Sequence, residues 1–221
     1  MTNQAMSKRT GILGPLMKRM HAPIYESRLR ELVRLIIPHL SAGDQVLDVG
    51  CGFGALGRAM LDHPGCPDAI EIRGLERHPR GSELIEMDAY DGGLMPYDDD
   101  AFDVVIIADV LHHEDDPDAL IAECARVSRR LLIIKDHQRR GIFARLRISL
   151  IDWAANAPYG VKCLYRYNTP RQWRDLHQRH DLDIAEEHRS MRLYPPVVNL
   201  LFGDDLQYMA VLRVHARDNT E

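Results

Sequence analysis

The chain has 221 residues, a formal net charge of -5 and a pI of about 6.1. This length is enough to bury a substantial hydrophobic core within one domain. The net acidity gives no general attraction to phosphate backbones, which disfavours a nucleic-acid partner. No signal-peptide pattern is present at the N-terminus, and no stretch approaches about 18 consecutive apolar residues. We therefore expect a cytoplasmic protein without a membrane partner, either a monomer or a homodimer.

The first predicted elements are a helix and an alternation of strands with helices. Residues 1–21 are basic and loosely patterned, and apolar residues at helical spacing then predict a helix over 24–40. Strands are predicted at 45–49, 70–75, 84–87, 102–108 and 131–134, with a helix at 117–127 before the last of these. A helix starting at Pro170, with Thr169 as its N-cap, precedes two final strands near 182–186 and 206–214. The alternation predicts an α/β fold with a mostly parallel sheet covered on both faces.

Residues 138–168 interrupt this alternation, and we interpret them as an insertion in a single domain that spans 1–221. Residues 1–42 would form a helical cap at its N-terminus. A helix over 142–156 would be apolar except for Arg147 and a narrow polar stripe at Arg145, Ser149, Asp152 and Asn156. Such a helix must bury most of its circumference. We predict a substrate lid, with the stripe or the tyrosines Tyr159, Tyr165 and Tyr167 meeting the substrate. A plain core helix and a dimer contact are the alternatives.

A glycine-rich loop directly follows the first predicted strand. Glycine at Gly50, Gly52 and Gly54 permits positive φ and lets a ligand approach the backbone. The loop also satisfies the GxGxxG pattern of dinucleotide-binding proteins, at 52–57. Asp48 discriminates between the two interpretations, because its carboxylate would repel a pyrophosphate and attract an ammonium group.

The run DVGCGFG at 48–54 resembles the first motif of the class I S-adenosylmethionine-dependent methyltransferases, of the small-molecule type. The resemblance covers about residues 44 to 136. It continues with an acidic residue that ends the second strand, with Met87-Asp88-Ala89 after the third, and with the run from Pro96 into the fourth strand. It implies a Rossmann-like, mostly parallel seven-stranded sheet with helices on both faces and the last strand antiparallel. It also implies S-adenosyl-L-methionine as cofactor.

The resemblance further implies where the cofactor binds. The glycine loop would pass under its methionine part, Glu76 would accept from the ribose hydroxyls, Asp88 and Ala89 would lie at the adenine, and Asp109 would face its amino-acid end. The predicted cofactor-binding residues are Asp48, Gly50, Cys51, Gly52, Gly54, Glu76, Arg77, Asp88, Ala89 and Asp109.

Polar residues follow the fourth and fifth strands, whose carboxyl ends lie on the ligand side of such a sheet. Methyl transfer from a sulfonium mainly requires alignment, but a hydroxyl or acidic-carbon nucleophile is helped by a base such as histidine. We predict His113 as this base, with His112 in reserve and Asp136 orienting the imidazole. A helix cap or a pocket wall is the alternative role. A metal site including His137 matches no known ligand spacing, so no metal is predicted.

The acceptor is predicted by elimination. The sequence contains neither the Asn/Asp-Pro-Pro-Tyr motif of amino-methylating DNA enzymes nor the Pro-Cys nucleophile of cytosine-5 enzymes. A small molecule methylated at oxygen or carbon is therefore the predicted substrate. A protein or RNA acceptor, a non-catalytic cofactor-binding module and a nicotinamide-dependent oxidoreductase are the alternatives.

Overall fold

The computed structural model describes residues 13–156, 164–194, 198–199 and 204–215. Helix α1 spans Leu13–Ile36 and continues into a 3-10 helix at Ile37–His39. It therefore begins eleven residues before Ile24, where the predicted helix starts, but within the segment predicted to form the N-terminal helical cap. Among the described residues, no helix is both long and apolar enough to cross a bilayer.

In the part of the chain that the structure describes, seven strands and four α-helices with defined bounds follow. The strands are β1 (Gln45–Val49), β2 (Glu71–Glu76), β3 (Glu86–Ala89), β4 (Phe102–Ala108), β5 (Ser128–His137), β6 (Leu182–His188) and β7 (Gln207–Val214). The helices are α2 (Ala55–Leu61), α3 (Pro117–Val127), α4 (Ala144–Asn156) and α5 (Pro170–Arg179). The bounds predicted for β1, β4 and α3 are confirmed. β3 lies two residues later than predicted, and β5 is longer at both ends.

The strands form one sheet in the order β3-β2-β1-β4-β5-β7-β6. β7 runs antiparallel to β5 and β6, and the remaining pairs are parallel. This confirms the predicted seven-stranded architecture. The strand order reverses between β1 and β4, so the segments leaving the carboxyl ends of these two strands diverge and form a crevice.

Side-chain caps fix where α3 and α5 begin. Asp116 accepts a hydrogen bond from the Ala119 N–H at 3.0 Å and precedes the proline at the first position of α3. Thr169 and Gln172 form a reciprocal capping box at α5, as the cap predicted at Thr169 requires. The first cap sets the start of α3 just beyond the segment that follows β4.

The sheet is buried on both faces because strand side chains alternate between them. Val46 joins an apolar cluster that includes side chains of α1 and α2. Leu47 and Val49 join a second cluster on the opposite face, with side chains of α3 and α5. The sheet thus positions its carboxyl edge rigidly, as expected for a doubly covered parallel sheet.

Helix α4 lies outside these two clusters. It packs through Ala144 and Ile148 against Tyr167 and Leu206, in a small cluster of its own. The prediction that this helix buries most of its circumference is wrong, because a row of large apolar side chains on it is exposed. It rests on the protein along one edge only. The Asn156 side chain and Tyr159 lie outside the described residues.

Candidate active site

The glycine loop after β1 combines two structural glycines with one that opens on free space. Gly50, Gly52 and Gly54 have φ values of 66°, 65° and 83°. A Cβ at Gly50 would lie 2.5 Å from the Val110 side chain, and one at Gly54 would lie 2.5 Å from Ile85. A Cβ at Gly52 would meet no atom within 4 Å. A ligand in the crevice can therefore contact the backbone at Gly52.

Asp48 places a buried carboxylate beside this loop. Its side chain is 2% exposed, and its Oδ2 has no hydrogen-bond partner among the described residues. Burial raises the pKa of Asp48 to about 7, although the nearby charge of Arg28 opposes the rise. A buried carboxylate oxygen without a partner is costly, so the site favours a neighbouring cationic group.

Cys51 contributes packing to the loop. Its Sγ lies 3.8 Å from the Leu75 carbonyl oxygen, and a Cβ on Gly74 would lie only 2.6 Å from the sulfur. Burial, with the charges of Asp48 and Glu76, raises the pKa of the thiol far above its ordinary value. The thiol therefore stays protonated at neutral pH and does not act as a nucleophile.

Glu76 bridges the end of β2 and the glycine loop. The Gly52 N–H donates to Glu76 Oε2 at 2.9 Å, and the N–H groups of Arg77 and His78 donate to Oε1 at 2.9 and 3.2 Å. Its carboxylate is thus fixed at the rim of the crevice, next to the open position at Gly52. The ribose-binding role stays a prediction.

Arg77 turns away from the glycine loop. Its Nη2 donates to Glu114 Oε2 at 2.7 Å, and its guanidinium lies 5.8 Å from the centre of the Tyr90 ring. Arg77 and Glu114 line a cavity of about 520 Å³ between the segments that follow β2, β3 and β4. His113 also lines this cavity.

Asp88 and Ala89 lie at the end of β3. The hydroxyl of Tyr97 donates to Asp88 Oδ2 at 2.8 Å, and Arg73 Nη1 lies 3.2 Å from the same oxygen. Ala89 is exposed and pairs with Glu76 across the two strands. Their position beside the β2 end is compatible with the predicted adenine contact, which stays a prediction.

Asp109 joins two cations that the sequence pattern did not identify as site residues. Lys135 Nζ lies 2.5 and 2.7 Å from its two oxygens, and Arg28 Nη2 donates to it at 2.6 Å. Burial alone would raise the pKa of Asp109, but Lys135 and Arg28 hold it well below its ordinary value. The two cations outnumber the carboxylate, so the group can attract an anion. Arg28 lies 81 residues from Asp109, and no local pattern links them.

His112 is held between two carboxylates. Its Nδ1 lies 2.6 Å from Asp136 Oδ1, and its Nε2 lies 3.7 Å from Asp152 Oδ1. Burial alone would lower its pKa, but Asp136 and Asp152 raise it to about 10. His112 is therefore an imidazolium at neutral pH and has no lone pair to accept a proton.

His113 faces the cavity. Its side chain is 21% exposed, and its Nε2 lies 4.0 Å from Asp152 Oδ1. The predicted pairing of His113 with Asp136 is wrong, because Asp136 contacts His112 instead. The reason is the 3-10 helix at Leu111–His113, which turns successive side chains by about 120°. His112 consequently points inward towards β5 and His113 outward.

The insertion supplies the second carboxylate of this group. Asp152 lies on α4, is 2% exposed, and accepts a hydrogen bond from the Tyr167 hydroxyl at 2.6 Å. Both residues were among those predicted to meet the substrate. The signal for Asp152 was its place in a polar stripe on an otherwise apolar helix.

Two features bear on the metal question. Nitrogen atoms of His112 and His113 and an oxygen of Asp152 lie within 4.8 Å of one another, close enough to hold an ion. His137 is not part of this group. Burial and the charge of Lys135 lower the pKa of His137 to about 4, and its Nδ1 lies 3.3 Å from Gln207 Nε2. A protonated His112 between Asp136 and Asp152 also accounts for this arrangement, so the geometry does not require a metal.

The His112 imidazolium predicts a pH dependence of stability. A pKa raised to about 10 from 6.5 gives a stabilisation that is complete below pH 6.5 and lost as the pH rises through about 10. The free energy of unfolding should therefore fall between pH 7 and 10, and Asp136→Asn should flatten that fall. Chemical denaturation across this range measures it. Asp118→Asn, which removes a surface carboxylate 2.9 Å from His180, is the control and should keep the wild-type slope. Equal slopes in wild type and Asp136→Asn would contradict the assignment.

Comparison with known proteins finds methyltransferases among the relatives of this chain. The profile of the family described as "Methyltransferase domain" matches residues 47–131. The ubiquinone biosynthesis O-methyltransferase of Hahella chejuensis is 27% identical over 186 residues, which cover 74% of this chain and 73% of the relative. The protein of the same name from Thiobacillus denitrificans is 32% identical over 98 residues, covering 39% of this chain and 40% of the relative.

Solved structures share the fold at low sequence identity. A chain from the complex of the Haloferax volcanii Trm112 methyltransferase activator with a methyltransferase superposes with a TM-score of 0.66 at 16% identity, covering 92% of this chain and 96% of that one. A SAM-dependent methyltransferase from Aquifex aeolicus gives 0.56 at 12% identity, covering 91% and 98%. The glycine loop, the strand order and the family match over residues 47–131 together support assignment to the class I S-adenosylmethionine-dependent methyltransferases.

Proposed function

We propose that this enzyme methylates a hydroxyl oxygen of a small molecule, with His113 as the general base. The observation that carries the proposal is the placement of His113, which lines the cavity and has the buried Asp152 carboxylate 4.0 Å behind its Nε2. The names of the relatives support oxygen as the acceptor atom, since both are O-methyltransferases.

The loop residues fit the cofactor of the family. S-adenosylmethionine carries an α-ammonium and a sulfonium and no phosphate, and when bound it supplies a methyl group activated for transfer. Asp48 offers a buried oxygen without a partner to a cationic group, and Gly52 leaves open space beside it. Arg28 and Lys135 provide the excess positive charge that a carboxylate requires. A pyrophosphate would meet the Asp48 carboxylate, which disfavours a nicotinamide cofactor.

His113 would take the proton from the acceptor hydroxyl. A histidine that lines the cavity can reach an acceptor there, and the Asp152 carboxylate would stabilise the imidazolium formed by the proton transfer. The acceptor oxygen gains electron density as its proton leaves, which makes it a better nucleophile. The remaining contribution of the protein is alignment of the two reactants.

His112 acts as a positioning residue in this proposal. Its positive charge holds Asp152 on one side and Asp136 on the other, at 3.7 and 2.6 Å. The Tyr167 hydroxyl holds the Asp152 carboxylate from the α4 side. The base is therefore backed by a carboxylate whose position is set by two independent partners.

Substitution of Gly52 tests the cofactor loop. In Gly52→Val the side chain would fill the open space at the crevice, so binding of S-adenosylmethionine should be abolished while the protein stays folded. Gly43→Val is a matched control, because Gly43 also has positive φ and no atom within 4 Å of a built Cβ but precedes β1 at the opposite edge. Both variants carry the same backbone strain. Equilibrium titration measures binding, and wild-type affinity in folded Gly52→Val would refute the loop assignment.

Substitution of Glu76 tests the ribose contact. Glu76→Ala should weaken cofactor binding by about 1.5–3 kcal/mol, the range for hydrogen bonds to a charged group. A 2′-deoxy analogue of the cofactor should then lose little further affinity in the variant. Glu86→Ala, at an exposed position on β3, is the control. If Glu76→Ala still discriminates against the analogue as strongly as wild type does, another residue binds the ribose.

Substitution of His113 tests the base, after an acceptor is found by screening phenols, enols and alcohols. His113→Ala should lower kcat by about 10²–10⁴-fold with nearly unchanged cofactor affinity. The loss of wild-type rate on acidification should disappear in the variant. His63→Ala, at an exposed position, is the control.

Three outcomes would contradict this role of His113. A kcat for His113→Ala within about threefold of wild type would leave alignment as the better explanation. Activity that is abolished by a chelator and restored by a divalent cation would instead make His113 a metal ligand. Binding of the cofactor without transfer to any acceptor would favour a non-catalytic module.

A further inference from the structure

The solvent side of α4 and its N-terminal approach carry a continuous apolar surface. The exposed fractions are 75% for Phe143, 69% for Leu146, 51% for Leu150 and 56% for Trp153. Ile142, just before them, is 79% exposed. We refer to these five residues as the α4 apolar face. Five exposed large apolar side chains within one short segment are unusual on a protein surface and indicate a binding surface.

Arginines border this face on both sides. Within α4, at about 100° per residue, the side chains of Trp153, Leu146 and Leu150 occupy an arc of about 60° around the helix axis. Arg147 lies about 60° beyond Leu150, and Arg145 about 80° beyond Trp153 on the other side. This is the pattern of a helix that lies in a membrane interface, with apolar side chains inserted and long cationic side chains reaching the headgroups.

The local charge opposes that of the whole chain. Residues 139–153 carry four arginines, and their only acidic residue, Asp152, is buried against His112. Asp205 lies 3.7 Å from one of these arginines, Arg147, so the surface keeps an excess of positive charge. The whole chain has a net charge of -5. The surface around α4 is thus a basic patch on an acidic protein, which complements an anionic partner.

We propose that the α4 apolar face docks this enzyme peripherally on an anionic lipid surface. A second copy of the chain fits less well, because a two-fold contact through this face would bring the Arg145 and Arg147 side chains of both copies together. Lipid headgroups instead supply the opposite charge, and the acyl region takes up the apolar side chains. This goes beyond the methyl-transfer proposal and does not depend on which acceptor is methylated.

The opposite side of α4 connects this surface to the active site. Asp152 lies behind His113, and Ile148 anchors the helix in the cluster with Tyr167. Docking would hold α4 from its outer side, where Leu146, Leu150 and Trp153 are exposed. The lipid surface would thereby stabilise the position of Asp152.

Vesicle co-sedimentation tests the proposal on the full chain. Wild type should bind phosphatidylcholine vesicles that contain about 30% phosphatidylglycerol at least tenfold more strongly than pure phosphatidylcholine, and high salt should weaken this binding. Leu146→Asp combined with Leu150→Asp should reduce binding at least tenfold. Ile184→Asp, at another exposed apolar position, should bind like wild type.

The charge contribution has its own pair of variants. Arg145→Glu should reduce binding to the anionic vesicles by about fivefold or more and leave binding to neutral vesicles unchanged. Arg171→Glu makes the same change at an exposed position on α5 and should have a clearly smaller effect. Equal effects of the two substitutions would mean that only net charge matters, which would overturn the role of α4.

Fluorescence quenching tests the proposal on the wild-type protein, so it does not depend on whether a variant of the α4 apolar face folds. Brominated lipids in the anionic vesicles should quench Trp153, which is exposed, and spare Trp173, which is 1% exposed. Trp153→Phe keeps an aromatic ring and should remove the quenching. Wild type that stays in the supernatant or shows no quenching would overturn the proposal. Concentration-dependent dimerisation abolished by the double aspartate variant would overturn it in favour of a second copy.

Discussion

The Asp109 carboxylate is the contact on which the arrangement of the site depends. It lies directly after β4 and binds Lys135 of the neighbouring strand and Arg28 of α1, so three separate parts of the chain meet at one group. Without this carboxylate, the buried Lys135 cation beside the partly buried Arg28 would be strongly destabilising. Asp109 therefore fixes the N-terminal helix over the glycine loop, and it brings the charge of Arg28 near Asp48.

Opposite charges alternate along the carboxyl edge of the sheet beyond this contact. His112, three residues after Asp109, is likewise held by opposite charges, as a cation between Asp136 and Asp152. These partners largely satisfy one another. Towards the crevice the edge presents a buried oxygen of Asp48, and towards the cavity it presents His113. The electrostatics of the scaffold thus separate the groups that hold the site together from those available for chemistry.

The sequence pattern predicted the parts of the fold that depend on local signals. The apolar run of β4, the proline and cap of α5 and the glycines after β1 each act over a few residues. β3 was misplaced because it is a short strand at the sheet edge, with little burial to shape its pattern. The predicted β5 ended too early because Lys135 and the two residues after it are polar, although they are buried within the strand. Arg28 was missed because only the tertiary fold brings it to Asp109.

Helix α4 shows a further limit of periodicity. The pattern indicated a helix with little polar surface, and burial was the simplest way to satisfy it. The structure instead uses the two sides of α4 differently: one side places Asp152 at the histidines, and the other presents apolar residues outward. Any displacement of α4 would remove Asp152 from His112 and leave that imidazolium with one close carboxylate fewer. The charge state of His112 and the position of α4 are consequently coupled, so a contact on the outer face of the helix bears directly on the electrostatics of the active site.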